Sequence, residues 1–347
     1  MARTGASRPG WRAGVLGEAM AGGRVRCRLC PFACSLAEGR TGPCQVRRNH
    51  SGVLETATYA VAVAHLDAVE RKPFYHLWPG AKVLTLAAPG CTFSCSYCVN
   101  HRLSQYGRET SAPWTGSPAG SAGLAELAER ARADGALLGL SYSEPGLAPE
   151  LTLALADHGL PIVWKTNGFL TAEAIDLVAP VLTAVNIDVK AAESARHREL
   201  TGAPLEPVLD AVARFHAAGV WVEASTPLIP GVSAAPDQLT TIARHLAAIS
   251  PDLPWHLLRF TPDFRMRAEA PTPPAALAQA REIGHRAGLR FVYVERALGV
   301  DGRRTTCPAC GGTLVDRGIW ETLDNCLVRG ACPACGTPVP GRWEGGP

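Results

Sequence analysis

The sequence lacks an obvious route into a membrane. No apolar run in its 347 residues reaches the length of a transmembrane helix. Val15 and Leu16 stand among glycines, without the continuous apolar region of a signal peptide. Both absences point to a cytoplasmic protein. A strong net charge is missing too. Lys and Arg number 34 against 31 Asp and Glu, a formal +3, too little to call for nucleic acid unless it is clustered. The arginines between Thr4 and Arg28 are diluted by Gly and Ala, so residues 1–24 read as a disordered tail. H-E-x-x-H, the P-loop and G-x-G-x-x-G are all absent. His197-Arg-Glu199 has the H-x-E of zinc deaminases, but neither C-terminal cysteine pair follows a proline, which excludes that class. Disorder as a whole is excluded by a hydrophobic fraction of 47%. The length suits one large domain with small appendages.

Cysteine is missing from the whole interior between Cys98 and Cys307. The 12 cysteines fall instead into three tight groups. These are Cys27, Cys30, Cys34 and Cys44; then Cys91, Cys95 and Cys98; then Cys307, Cys310, Cys326, Cys332 and Cys335. In a reducing compartment such groups read as metal or cluster ligands rather than disulfides.

The cysteine-free stretch shows the fold class. Apolar, β-branched runs at 82–88, 136–143, 161–166, 184–189, 220–226, 255–260 and 290–294 read as strands. Helical patterns at 124–133, 149–158, 171–179, 206–218, 236–249 and 274–287 alternate with them. Thr171 is an N-cap candidate, and Gly135, Gly159, Gly219 and Gly288 mark helix ends. Strand–helix alternation means parallel β/α units, an α/β fold with a partial or full barrel. Residues 111–123, rich in Ser, Gly, Pro and Ala, read as a flexible connection. Barrel chemistry sits at the C-terminal ends of strands. Tyr142, Ser143 and Glu144 close one predicted strand, Thr166 and Asn167 the next, Asp188 and Lys190 the one after. His256 lies in a later strand.

Cys91, Cys95 and Cys98 follow a predicted strand at the spacing C-x3-C-x2-C. Three thiolates would leave one iron of a [4Fe-4S] cube without a protein ligand, and an open position on a metal is where a reactant binds. Zinc is the alternative, with His101 as a fourth ligand. Cys27, Cys30, Cys34 and Cys44 offer four soft ligands within a short span, for zinc or an auxiliary [4Fe-4S] cluster. The C-x2-C pairs Cys307/Cys310 and Cys332/Cys335 have the spacing of a structural zinc ribbon. Cys326 lies outside those pairs, and its role stays open.

The C-x3-C-x-aromatic-C loop, with Tyr97 as the aromatic residue, resembles the signature of the radical S-adenosylmethionine (SAM) superfamily. That resemblance implies a partial (β/α)6 barrel over residues 81–298. It also implies that SAM chelates the open iron and is cleaved by one electron to a 5′-deoxyadenosyl radical, which abstracts hydrogen from an unidentified substrate. Ser141-Tyr-Ser-Glu-Pro145 resembles the motif that receives the SAM amino group, with Tyr142 and Ser143 where glycines are usual. Asn186-Ile-Asp-Val-Lys190 and Pro254-Trp-His256 resemble motifs of glycyl-radical-enzyme activases. Tyr142, Ser143, Glu144, Asn167, Asp188, Lys190 and His256 are therefore the expected SAM contacts. The plainer readings are an Asp188–Lys190 ion pair and a core histidine at 256.

The order of motifs resembles the radical SAM enzymes of the AmmeMemoRadiSam system, relatives of pyruvate formate-lyase activating enzyme. It runs from Cys27-x-x-Cys-Pro-x-x-Cys34, through Gly42-Pro-Cys-Gln-Val-Arg-Arg-Asn49 and Glu70-Arg-Lys-Pro-Phe-Tyr-His-Leu-Trp-Pro-Gly80, to the cluster loop and the terminal ribbon. The resemblance divides the chain into a Cys-rich segment at 25–80, the barrel and a zinc ribbon at 303–343. It implies AMMECR-type and Memo-type partner proteins and an electron donor such as flavodoxin or ferredoxin. The alternatives are an activase that installs a glycyl radical on a partner enzyme, and a non-enzymatic zinc-ribbon protein that binds nucleic acid.

Overall fold

The structure, a computed structural model, describes residues 10–61, 63–108, 123–296, 298–299 and 301–347. Residues 1–9 of the expected tail lie outside these. So does the connection expected at 111–123, apart from Gly123.

Two small three-stranded sheets come first. Strands β1 (Arg12–Ala13), β6 (Val53–Thr56) and β5 (Arg47–His50) form one, and β2 (Gly17–Met20), β3 (Arg24–Cys27) and β4 (Ser35–Leu36) the other. This corrects the reading of 1–24 as a tail, because residues 12–20 supply two strands. They are held by backbone pairing and by rings under guanidinium groups, which leave no apolar periodicity to read. Arg12 lies 4.3 Å over the Tyr59 ring and Arg48 4.3 Å over Trp11. The Val15 amide donates to Glu150 Oε1 at 2.6 Å.

The centre is one eight-stranded sheet whose order follows the chain: β7 (Val63–Ala68), β8 (Lys82–Ala87), β9 (Ala136–Leu140), β10 (Ile162–Thr166), β11 (Ala184–Asp188), β12 (Trp221–Leu228), β13 (Trp255–Arg259) and β14 (Val292–Val294). From β8 to β14 every pairing is parallel. β7 lies antiparallel along β8, and β7 and β14 are the two sheet edges. The barrel is therefore partial. Strands such as β9 are buried along their whole length. Parallel strands covered on both faces read as continuous apolar runs for this reason.

Helices α1 (His101–Ser104), α2 (Leu124–Ala133), α3 (Pro149–Ala156), α4 (Ala172–Val178), α5 (Ser194–Thr201), α6 (Glu206–Ala217), α7 (Pro236–Ile249) and α8 (Pro274–Arg286) join the strands. In α7, Leu239, Ile242, Ala243 and Leu246 form the buried stripe at helical spacing. Thr171 caps α4 by accepting from the Ala174 amide at 3.2 Å. The sequence pattern misses β7 and α5. In α5 only His197, Leu200 and Thr201 are buried, so no apolar stripe announces it.

The C-terminal module has three antiparallel strands, β15 (Thr305–Thr306), β16 (Thr313–Arg317) and β17 (Thr322–Asn325). It is not a free appendage. Leu314, Val315, Cys307, Cys332 and Val339 share one apolar cluster with Tyr75, Phe291 and Tyr293. Arg317 Nη2 donates to Tyr75 O at 2.5 Å, and the Trp78 amide donates to Arg342 O at 2.7 Å. The expected boundary at residue 80 also moves. Residues 63–68 join the main sheet, and residues 75–78 form the floor on which the module sits. Among the described residues no helix is long and apolar enough to cross a membrane.

Candidate active site

The loop after β8 carries Cys91, Cys95 and Cys98, and all three line one cavity of about 240 Å³. The opposite wall comes from the C-terminal ends of β10 to β13: Thr166 and Asn167, Asp188 and Lys190, Pro227, and Leu258. Ser141, Tyr142, Ser143 and Glu144 complete it from the loop after β9. Polar groups face the sulfurs. The Phe93 amide donates to Cys91 Sγ at 3.3 Å, Asn167 Nδ2 approaches the same sulfur at 3.6 Å, and Ser104 Oγ lies 3.2 Å from Cys98 Sγ. Three thiols on one loop, with donors aimed at the sulfurs, are a donor set that fits an iron–sulfur cube.

Glu144 is committed to its neighbours. Its Oε1 accepts from the Gly146 amide at 2.7 Å and from Thr166 Oγ1 at 2.5 Å, and its Oε2 accepts from the Asn167 amide at 2.8 Å. Burial pushes its pKa up to about 7, against the pull of these donors. Asn167 Nδ2 donates to Thr92 Oγ1 at 2.8 Å. Glu144 and Asn167 therefore tie the ends of β9 and β10 to the cysteine loop.

Asp188 lies between two lysines. Lys190 Nζ donates to Oδ2 at 2.7 Å, and Lys165 Nζ holds Oδ1 while also donating to Asn186 Oδ1 at 2.6 Å. Burial works against the ionised Asp188, yet the two ammonium groups outweigh it and hold the carboxyl at about 2. Burial works against charge on Lys190 too, but Asp188 overrides it and raises the pKa. One carboxylate between two ammonium groups leaves this wall with net positive charge, which suits an anionic ligand.

Tyr142 lines the cavity with a left-handed backbone, φ +69°. Its hydroxyl lies 2.7 Å from His65 Nε2, accepts from Lys72 Nζ at 2.8 Å and donates to Asp67 Oδ2 at 3.0 Å. Burial pushes the phenol pKa up, and Asp67 adds to the effect. The sequence reading missed Lys165, His65, Asp67 and Lys72. Lys165 carried a signal, as a charge inside an apolar strand one residue before Thr166. The other three lie on or just after the unforeseen β7.

His256 is a correction. It does not line the cavity but is fully buried, with Nε2 2.6 Å from Glu223 Oε2. Side chains two apart on a strand share a face. Leu258 occupies the cavity position and His256 lies one layer deeper, roughly 7 Å down the strand. Of the expected contacts, Tyr142, Ser143, Glu144, Asn167, Asp188 and Lys190 do meet at the cavity.

The other cysteine groups separate as well. Cys307 and Cys335 sulfurs lie 3.6 Å apart, those of Cys310 and Cys332 3.7 Å, and all four fall within 4.8 Å of one another. A tetrahedral zinc with Zn–S bonds of ~2.3 Å requires S–S spacings of ~3.8 Å. Cys326 stands apart, exposed, with its thiol 3.1 Å from Asp324 Oδ2. Cys27, Cys30, Cys34 and Cys44 line a second cavity of their own.

Residues 86–239, from the end of β8 into α7, match the model of the radical SAM superfamily. The chain belongs to this superfamily. Its radical SAM core thus begins just before the cysteine loop and takes in the strand ends that face it. The chain is 31% identical over 324 residues to "Uncharacterized protein MJ0808" of Methanocaldococcus jannaschii, covering 91% of this chain and 95% of that protein. It is 28% identical over 210 residues to "Putative glycyl-radical enzyme activating enzyme MJ1632" of the same organism, covering 58% of this chain and 76% of the other. Among solved structures, a domain of pyruvate-formate lyase-activating enzyme from Bacteroides vulgatus aligns at 22% identity and a TM-score of 0.38. That alignment covers 43% of this chain and 90% of that one.

Proposed function

We propose that this radical SAM protein cleaves SAM reductively and directs the resulting radical at a substrate bound above the sheet. The observation that carries this reading is the meeting of Cys91, Cys95 and Cys98 with the Lys165–Asp188–Lys190 set across one cavity. Cys91, Cys95 and Cys98 would hold a [4Fe-4S] cluster, which when bound supplies the electron that splits the SAM sulfonium into methionine and a 5′-deoxyadenosyl radical. The chain's own part is positioning. Lys190 presents positive charge to a carboxylate. Glu144 and Asn167 fix the loop that faces it. Phe93, Tyr97, Val99, Pro227 and Leu258 give the cavity apolar walls that limit water.

The N-terminal cysteine motif and the 70–80 segment support the narrower reading of an AmmeMemoRadiSam-type enzyme with AMMECR-type and Memo-type partners, fed by a flavodoxin- or ferredoxin-class donor. The likeness to a protein named as an activating enzyme, together with Asp188-x-Lys190, supports a second reading as a glycyl-radical activase. In either case anaerobically reconstituted protein should form 5′-deoxyadenosine from SAM under a low-potential reductant. Co-purification with the partner proteins, or formation of a glycyl radical signal on an added enzyme, separates the two.

A further inference from the structure

The N-terminal cysteines form a built site to which the proposed SAM cleavage assigns no role. Cys27, Cys30, Cys34 and Cys44 surround a cavity completed by Leu29, Phe32, Leu36, Leu147, Thr92 and Arg47. Three observations bear on what fills it. The first is spacing. Among the described residues, the C-terminal quartet is gathered as a group that could hold one ion, its four sulfurs all within 4.8 Å of one another. The N-terminal four instead line a small cavity of about 20 Å³. Cys91, Cys95 and Cys98 likewise line a cavity. Zinc draws four sulfurs onto one ion, whereas a cube presents a separate iron to each.

The second observation is Arg47, which is buried and lines the cavity. Its Nη1 donates to Val15 O at 3.2 Å, and its Nη2 donates to Glu150 Oε2 at 2.8 Å and to Leu147 O at 3.2 Å. Its Nε is buried with no partner. A buried donor beside four thiols calls for an acceptor, and cluster sulfur is one. Hydrogen bonds to sulfur are among the features that set cluster potentials.

The third is placement. Gly90 has φ +90°, and a Cβ there would fall 2.8 Å from Cys44 O. Arg108 bridges the two loops, donating from Nε to Pro43 O at 2.7 Å and from Nη2 to Cys91 O at 2.8 Å. The two cysteine sites lie back to back across residues 90–92.

We propose that Cys27, Cys30, Cys34 and Cys44 hold a second, fully ligated [4Fe-4S] cluster, with Arg47 Nε donating to one of its sulfurs. The assignment stands apart from the SAM reading. It is tested by reconstituting the full chain anaerobically with iron and sulfide. Replacing Cys91, Cys95 and Cys98 together with Ala should halve iron and acid-labile sulfide and leave the electron paramagnetic resonance signal of one reduced cube. Adding Cys30→Ala and Cys44→Ala should remove the rest. Should the triple variant fail to fold, Cys30→Ala/Cys44→Ala in the parent should halve the iron and leave a signal that still changes when SAM is added. Zinc gives an independent readout, since Cys332→Ala should remove all of it. A triple variant that folds but holds no acid-labile sulfide overturns the assignment, and so does zinc persisting in Cys332→Ala and lost with Cys30→Ala/Cys44→Ala. In the triple variant Arg47→Lys keeps the positive charge but loses Nε, and should lower the remaining cluster's reduction potential. An unchanged potential removes Arg47 from the site.

Discussion

Lys190 Nζ donates to Asp188 Oδ2 at 2.7 Å while Lys165 holds the other oxygen of the same carboxylate. The pair that the sequence suggested is real, and a third member completes it. Asp188→Asn would leave two buried ammonium groups facing each other. We expect a loss of about 3 kcal/mol in stability, as for a broken buried pair. SAM cleavage should fall on the order of a hundredfold through misplacement of Lys190. Urea unfolding and 5′-deoxyadenosine formation measure the two. Wild-type turnover in the variant would show that the cavity charge plays no part.

Replacing Cys91, Cys95 and Cys98 with Ala should abolish 5′-deoxyadenosine formation. All three line the cavity that also holds Asp188 and Lys190. The check is product analysis beside a circular dichroism spectrum to establish folding. A folded triple variant that cleaves SAM at the parent's rate would refute the proposed function.

Much of this site was legible because of how parallel strands advertise themselves. Apolar runs that stop at Glu144, Thr166 or Asp188 announce both the strand and its functional end. Lys165 was overlooked since a lysine within a run looks like an irregularity. Its partners only become visible once β10 and β11 pair Lys165 with Asn186. His65, Asp67 and Lys72 were hidden by β7, whose antiparallel edge position breaks the strand–helix rhythm. Strand pattern gives the face on which His256 sits but not its depth, and depth separates the cavity from the layer below. The N-terminal strands depend on backbone pairing and on rings under Arg12 and Arg48, none of which leaves a periodic trace.

We propose that the C-terminal four-thiol set holds zinc; Cys332→Ala should then release it, because its sulfur lies 3.7 Å from that of Cys310. The module shares its apolar cluster with Tyr75, Phe291 and Tyr293. Loss of the metal should therefore loosen residues near the C-terminus and lower the Tm of the whole chain, while SAM cleavage at low temperature persists. Elemental analysis, limited proteolysis and a melting curve test this. An unchanged zinc content would rule out the ligand set.

Acid should weaken the same interface. Burial holds the His76 pKa at about 4, below its ordinary 6.5. Its Nδ1 lies 2.7 Å from Pro340 O and its Nε2 2.6 Å from Tyr293 Oη. The unfolded chain takes up a proton that the folded chain refuses. The stability from neutral His76 is thus present above pH 6.5 and lost as pH falls toward about 4, by on the order of 3 kcal/mol. Glu144, raised to about 7, acts in the opposite sense, since its contribution is present below pH 4.5 and lost as pH rises through 7. Hydrogen exchange at residues 305–342, corrected for intrinsic rates, should rise between pH 6.5 and 4.5 relative to the sheet. His76→Gln should flatten that difference.

The last prediction decides what His256 does. Glu223 is a fully buried carboxylate that accepts from the Tyr75 amide at 3.0 Å, the His76 amide at 2.9 Å, Trp221 Nε1 at 3.0 Å and His256 Nε2 at 2.6 Å. Burial raises its pKa, but the His256 hydrogen bond leads the effects that bring it down. Each donor thus compensates a charge that water cannot reach. His256 serves this carboxylate, and its ring lies edge-on to Tyr75 with centroids 4.8 Å apart. Truncating it should leave an acceptor unmet at a cost of about 1–3 kcal/mol. The cavity wall above, at Leu258, stays in place. His256→Ala should therefore lower the urea midpoint while the KM for SAM stays within about twofold of the parent, a free-energy change of only about 0.4 kcal/mol. Lys190→Met, which removes a group on the cavity wall and leaves Asp188 paired to Lys165, should instead raise that KM well beyond twofold. A His256→Ala protein with unchanged stability and a much raised KM for SAM would return His256 to the SAM-binding wall that the sequence motif first implied.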